Sequence, residues 1–116
     1  MSNFLYLFRG GDDAFDKLSQ EEKQAHMEVW GQWMGGLQEK GQLLDGLPLD
    51  KDGKVVKNRG DLVTNGPFAE GAEMVGGYLI VSAKNIDEAV EISKGCPIFD
   101  YEGAFVEVRE ILTMEH

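Results

Sequence analysis

Apolar and polar residues alternate along this chain in two rhythms, one of period two and one of helical period, and the switches between them mark its elements. Asn3 to Arg9 is a run of aromatic and aliphatic residues that stops at Gly10-Gly11, which predicts a first strand. A flexible acidic loop follows. Apolar residues then fall at helical spacing, at Met27, Trp30, Trp33, Met34 and Leu37, until Gly41. Ser19 with Glu22 three positions on has the form of a capping box, so one long amphipathic helix is expected from there. The runs Gln42 to Leu47 and Lys54 to Arg59 flank Asp52-Gly53, a pair suited to a type I′ turn, which predicts a hairpin. Gly77 to Ala83 reads as another apolar strand. Asn85 with Glu88 opens a shorter helix that ends at Gly95 before Cys96-Pro97, and a last strand runs from Ala104 to Leu112.

The expected order is strand, helix, strand, inserted hairpin strand, strand, helix, strand. Without the insertion this is βαββαβ, the ferredoxin-like α+β plan of an antiparallel sheet with two helices on one face. Alternation predicts that Leu5, Leu7, Leu79, Val81, Ala104, Val106 and Val108 face the helices. The other face is then expected to hold Phe4, Tyr6, Phe8, Tyr78, Ile80, Phe105 and Ile111, with Glu107 and Arg109 among them. Two helices cover one side of a sheet, and monomers rarely expose so large an apolar patch. A homodimer closing two sheets face to face is the expected solution.

At 116 residues the chain has room for one core, so residues 1–116 are read as a single domain. The lone Cys96 has no partner for a bridge or a metal pair, which suits a reducing compartment. The first ten residues carry neither a signal peptide pattern nor a membrane span, and a cytoplasmic setting is expected. Charge narrows the partners further. Residues 1 to 60 carry ten acids and eight bases, whereas 61 to 116 carry eleven acids and three bases. A surface this acidic repels phosphate backbones and anionic lipid, so neither nucleic acid nor membrane is an expected partner. The one basic cluster, Lys51, Lys54, Lys57 and Arg59, suits a small organic anion or a solvated hairpin face.

Five positions have the chemistry for a site, each beside a plainer reading. Glu70 suits a general base if partly buried, since burial raises a carboxylate toward neutrality; otherwise it is a surface acid. His26 exchanges protons near neutrality, or simply packs. Arg109 lies on the face expected to be enclosed, where a charge either binds an anion or pairs with Glu107. Tyr6 and Tyr78 would line the same cavity with hydroxyls over an apolar floor, or serve core or interface packing. Gly31, Gly35 and Gly36 weaken the long helix, which is compensated either by close packing or by room for a ligand beside Trp30 and Trp33. No phosphate loop, nucleophile elbow or metal-spaced His-Cys cluster occurs, so no cofactor is expected.

The segment Asn65-Gly66-Pro67-Phe68-Ala69-Glu70 joins a tight turn to the strand Gly76-Gly77-Tyr78-Leu79-Ile80. Together with Asp87-Glu88-Ala89, Cys96-Pro97 and Val106-Glu107-Val108-Arg109, it resembles the YCII-related family in its Asp-Gly-Pro-Phe branch, along nearly the whole chain. The resemblance implies a dimeric α+β barrel, similar in fold to small lactone-processing isomerases and dehalogenases. It also exposes two departures. The branch's aspartate is Asn65 here, and an amide is no general base. Spacing back from Gly41, the helix position where many relatives carry a histidine is Trp30, with His26 one turn earlier. Asn65 is otherwise a turn residue. Three functions follow. The first is a small-molecule-binding or accessory protein with a cavity in a homodimeric barrel, holding a small organic acid or lactone. The second is a proton-transfer enzyme of lactone isomerase or dehalogenating lyase type, with Glu70 or His26 as base and Arg109 holding a carboxylate. The third is a ligand-free interaction module.

Overall fold

Strand β1 (Ser2–Arg9) forms the middle of the molecule because its neighbours complete its hydrogen bonds on both sides. The computed structural model describes residues 1–50, 52–66 and 75–113. After β1 come α1 (Asp12–Asp16), α2 (Gln20–Glu39), β2 (Leu43–Pro48), β3 (Gly53–Lys57), β4 (Leu62–Gly66), β5 (Val75–Ala83), α3 (Ile86–Ser93) and β6 (Phe105–Glu110). The short α1 occupies the stretch expected to be loop. The main sheet has the order β2-β5-β1-β6, all antiparallel, with the helices packed on one face in a mixed α+β arrangement.

Both long helices start where their side chains satisfy the backbone. Ser19 Oγ accepts from the Glu22 amide at 3.1 Å while the Ser19 amide donates to Glu22 Oε1 at 3.0 Å, a reciprocal capping box. At α3, Asn85 Oδ1 accepts from the Glu88 amide at 2.9 Å. These caps hold the amide ends that would otherwise lack partners.

The barrel expectation is corrected. Strands β2 and β6 form opposite edges of the four-stranded sheet and do not pair with each other, so the sheet is open, and no dimer is shown. Closure requires the two edge strands to meet with matched tilt and stagger, which four twisted strands in this order do not provide. The inserted hairpin differs too. β2 pairs with β5, and β3 pairs with β4 as a separate two-stranded sheet. Its turn lies at Asn58-Arg59-Gly60, all with positive φ, rather than at Asp52-Gly53. Gly46 explains why β2 joins β5 so tightly: a Cβ there would lie 2.7 Å from the Tyr78 carbonyl oxygen. The glycines of α2 are not close-packed, since a Cβ at Gly31, Gly35 or Gly36 would meet nothing within 4 Å.

The expected faces hold for β5 and β6 and are reversed for β1. Phe4, Tyr6 and Phe8 are buried under the helices with Leu79, Val81, Leu37 and Ala89. The register dictates this: Phe4 stands opposite Val81, and Tyr6 opposite both Leu79 and Val108, and residues directly opposite in an antiparallel pair share a face. Leu5 and Leu7 therefore share the open face with Ile80, Tyr78, Arg109 and Glu107. Truncation distinguishes the two faces. Phe4→Ala is expected to lower unfolding free energy by about 3–5 kcal/mol, and Leu5→Ala by clearly less, in urea denaturation; equal losses would contradict this register.

Candidate functional site

A cavity of about 370 Å³ opens between α2, the end of β1 and the β2–β5 edge. Its volume falls within the range of small-molecule sites. The wall is largely aromatic, with Phe8, Phe15, Trp30 and Tyr101, and His26 supplies its imidazole, while Tyr78 borders it from β5 with its side chain on the open face of the sheet. Asp50 is the one fully charged side chain among the described residues that line it. No lysine or arginine is among those described lining residues.

Each aromatic arrives from a different element. Phe8 ends the buried row of β1, and its ring meets Trp30 edge-on at 5.1 Å between centroids. Phe15, from α1, meets Tyr101 at 6.2 Å and a right angle, with Lys23 Nζ over its ring at 5.3 Å from the centre. Gly11, at φ +82°, lets the chain turn beneath Tyr101, whose Cβ would be 3.1 Å from a Cβ at that position. Tyr101 follows the 3-10 turn Pro97–Asp100.

His26 and Trp30 lie one helical turn apart, so both project from the same side of α2. Trp30 Nε1 donates to His26 Nε2 at 2.6 Å, and the imidazole lies 4.5 Å from the Tyr101 ring. Burial lowers the His26 pKa below the ordinary 6.5, opposed by the nearby Asp100 carboxylate. His26 is therefore neutral at pH 7. Burial, and secondarily Asp100, pushes the Tyr101 phenol up to about 12. Its hydroxyl is buried and has no hydrogen-bond partner among the described residues.

The expected site residues divide. His26 and Trp30 are brought together at this cavity, and Tyr78 borders it with its side chain on the open face of the sheet. Tyr6 is not: it is fully buried, its hydroxyl donates to the Ala89 carbonyl, and burial raises its pKa strongly. Arg109 lies on the open face of the sheet, largely exposed, with Nε 3.9 Å from Glu107 Oε2; Glu107 is held more closely by Arg9 Nε, at 2.9 Å. That is the pairing its plainer reading anticipates. Asn65 sits in β4 with its backbone opposite Lys54. Glu70 and the Gly-Pro-Phe turn beyond Gly66 lie outside the described residues. Sequence reasoning missed Phe8, Phe15 and Tyr101. For the His26–Trp30 contact a signal was present, the i, i+4 spacing of a donor and an acceptor.

Residues 12–115 match the family model described as the YCII-related domain. A comparison with curated proteins finds no match. Among solved structures, the chain is similar to 5-chloro-2-hydroxyhydroquinone dehydrochlorinase from Burkholderia phenoliruptrix AC1100, in complex with 2,5-dihydroxybenzoquinone. The TM-score is 0.51 and the identity 16%, over 90% of each chain. At that identity the likeness concerns the fold.

The depressed His26 pKa fixes the sign of a pH effect. The unfolded chain takes up the proton first as pH falls below 6.5, so this contribution to stability is complete above that value and is lost toward the folded pKa. The melting temperature is expected to fall between pH 7 and pH 5.5 more in the wild type than in His26→Asn. Parallel curves for the two proteins would place His26 in water.

Proposed function

This chain belongs to the YCII-related domain family, and we propose that it is a proton-transfer enzyme, of dehalogenating lyase or lactone isomerase type, acting on a small ring compound in the aromatic cavity. The observation that carries the proposal is the presence of a neutral imidazole in an aromatic cavity of about 370 Å³. Such walls bind flat rings through area and ring stacking. The absence of a lining cation among the described residues favours an uncharged lactone, quinone or hydroquinone over an organic acid. The structural neighbour is a dehydrochlorinase bound to a benzoquinone, which supports the same class of ligand.

Loss of HX breaks a carbon–halogen bond and removes one proton, with no net electron transfer. Lactone isomerisation moves one proton from carbon to carbon. Both need a proton acceptor and a donor to the oxygen where charge develops. His26 and Glu70 are the groups proposed for this traffic, with Trp30 against the ring. Arg109 has no part in it, because its guanidinium lies on the other face of the sheet.

The experiment pairs binding with turnover. A ligand at about 100 times its dissociation constant adds roughly 2.7 kcal/mol of stability, a shift of several degrees for a domain of this size. Chlorinated hydroquinones, 2,5-dihydroxybenzoquinone and unsaturated lactones are expected to give such shifts, and the turned-over member to release chloride or a rearranged lactone. His26→Asn should slow turnover by about 100-fold or more while the protein stays folded. Saturable binding with no turnover of any member would instead establish the accessory binding protein; unchanged turnover in His26→Asn would remove His26 from the chemistry.

A second copy of this chain is proposed as its partner, seated on the open sheet face around Leu5, Leu7, Tyr78 and Ile80. A cytoplasmic setting belongs to the same reading: Cys96 is a buried free thiol, and no helix among the described residues is long and apolar enough to cross a membrane. Sedimentation at micromolar concentration should give a dimer for the wild type and a monomer for Ile80→Lys. A monomeric wild type would remove the second copy.

A further inference from the structure

We propose that Trp30 is the positioning residue of this cavity: its indole N–H holds His26 in the tautomer that carries its proton on Nδ1, so that His26 serves the site as a hydrogen-bond donor. The inference deepens the reading of this cavity as the functional site, and it concerns a role that neither the family match nor the structural neighbour assigns.

Indole has one N–H and no acceptor. The 2.6 Å separation of Trp30 Nε1 and His26 Nε2 is a hydrogen bond only if Nε2 presents a lone pair. A neutral imidazole carries one N–H, which must then be on Nδ1. The imidazolium carries both and would set two N–H groups against each other, so the same contact disfavours the charged form.

Trp30 is held where it can impose this. Its ring is edge-on to Phe8 at 5.1 Å and to Trp33 at 5.9 Å, with interplanar angles of 88° and 83°. His26 is held in turn by the turn of helix between them and by the Tyr101 ring. The groups acting on the imidazole from other elements are the Asp100 carboxylate, which favours the cation, and Tyr101, whose phenol is un-ionised near neutrality. Asp50 lines the same cavity from beyond β2. His26 Nδ1 has no hydrogen-bond partner among the described residues, so its N–H is available to a ligand.

A neutral imidazole N–H polarises a carbonyl oxygen by hydrogen bonding, without surrendering its proton. No bond of His26 breaks in that role. Abstraction of a proton from carbon then falls to another group, of which Glu70 is the one proposed above.

The test needs no ligand and is independent of whether the panel above binds. In long-range ¹H–¹⁵N spectra of the labelled protein at pH 7.5, His26, assigned by its loss in His26→Asn, should show the Nδ1–H tautomer. Trp30→Phe keeps an aromatic ring against Phe8 and deletes the donor. In that variant His26 should move toward the Nε2–H tautomer common in free histidine, and its pKa should rise toward 6.5, while the amide spectrum reports a folded chain. An Nε2–H wild type would overturn the proposal, as would a folded Trp30→Phe with tautomer and pKa unchanged. Should Trp30→Phe not fold, the wild-type tautomer, with the Trp30 indole proton shifted downfield or not, decides the question alone.

Discussion

Phe4, Tyr6 and Phe8 stand in one row on the central strand, and nearly every other placement in the molecule follows from where that row points. With strands β5 and β6 on either side, the row lies between Leu79 and Val81 on one neighbour and Val106 and Val108 on the other. Burial of large apolar side chains is the main favourable term in a domain of this size, so the face carrying the three rings is the face both helices must cover. Leu37 from α2 and Ala89 from α3 close over it. The Tyr6 hydroxyl would be costly there without a partner, and the Ala89 carbonyl provides one, which ties α3 to the middle of the sheet.

The last ring of the row connects core to site. Phe8 is buried, yet it also borders the cavity, and Trp30 leans on it edge-on. Trp30 sets the position of His26, and His26 lies against Tyr101, which Gly11 admits through its positive φ. The chain of contacts runs from a core strand to an accessible imidazole without crossing a flexible side chain. The opposite face of the same sheet has a different character: Glu107 is shared between Arg9 and Arg109 among half-buried Leu5 and Leu7. The ion pairs and the aromatic cavity are thus separated by the thickness of one sheet.

What was legible in the sequence is what depends on neighbours a few residues away. Ser19 with Glu22 and Asn85 with Glu88 announce their helices because a cap is a local hydrogen bond. The β5 and β6 faces were readable because glycine, tyrosine and charged residues alternate there with aliphatic ones. Strand β1 was not, since Phe4-Leu5-Tyr6-Leu7-Phe8 is apolar on both faces and lacks the polar alternate positions that mark a register. Only pairing with β5 and β6 decides it. That one reversal moves Tyr6 from the expected cavity into the core. The hairpin failed for a related reason: Asp52-Gly53 is a good turn in isolation, but β2 finds in β5 a longer partner that Gly46 lets it approach. Tyr101 reaches His26 across most of the chain, and no short-range pattern carries such a contact.

The aromatic wall also accounts for the state of its one imidazole. Partial removal of water from around His26 penalises its charged form, and it also leaves the hydrogen bond from Trp30 less open to competition from solvent. Asp100 pulls the other way, but desolvation is the larger cause. Two effects of one packing arrangement therefore converge on a neutral ring with its proton directed by a tryptophan. A lysine or arginine in the wall would serve an anionic ligand, and it would further disfavour the imidazolium. The described lining does without one, which fits the proposed flat, uncharged ring held by stacking and by the His26 Nδ1 hydrogen.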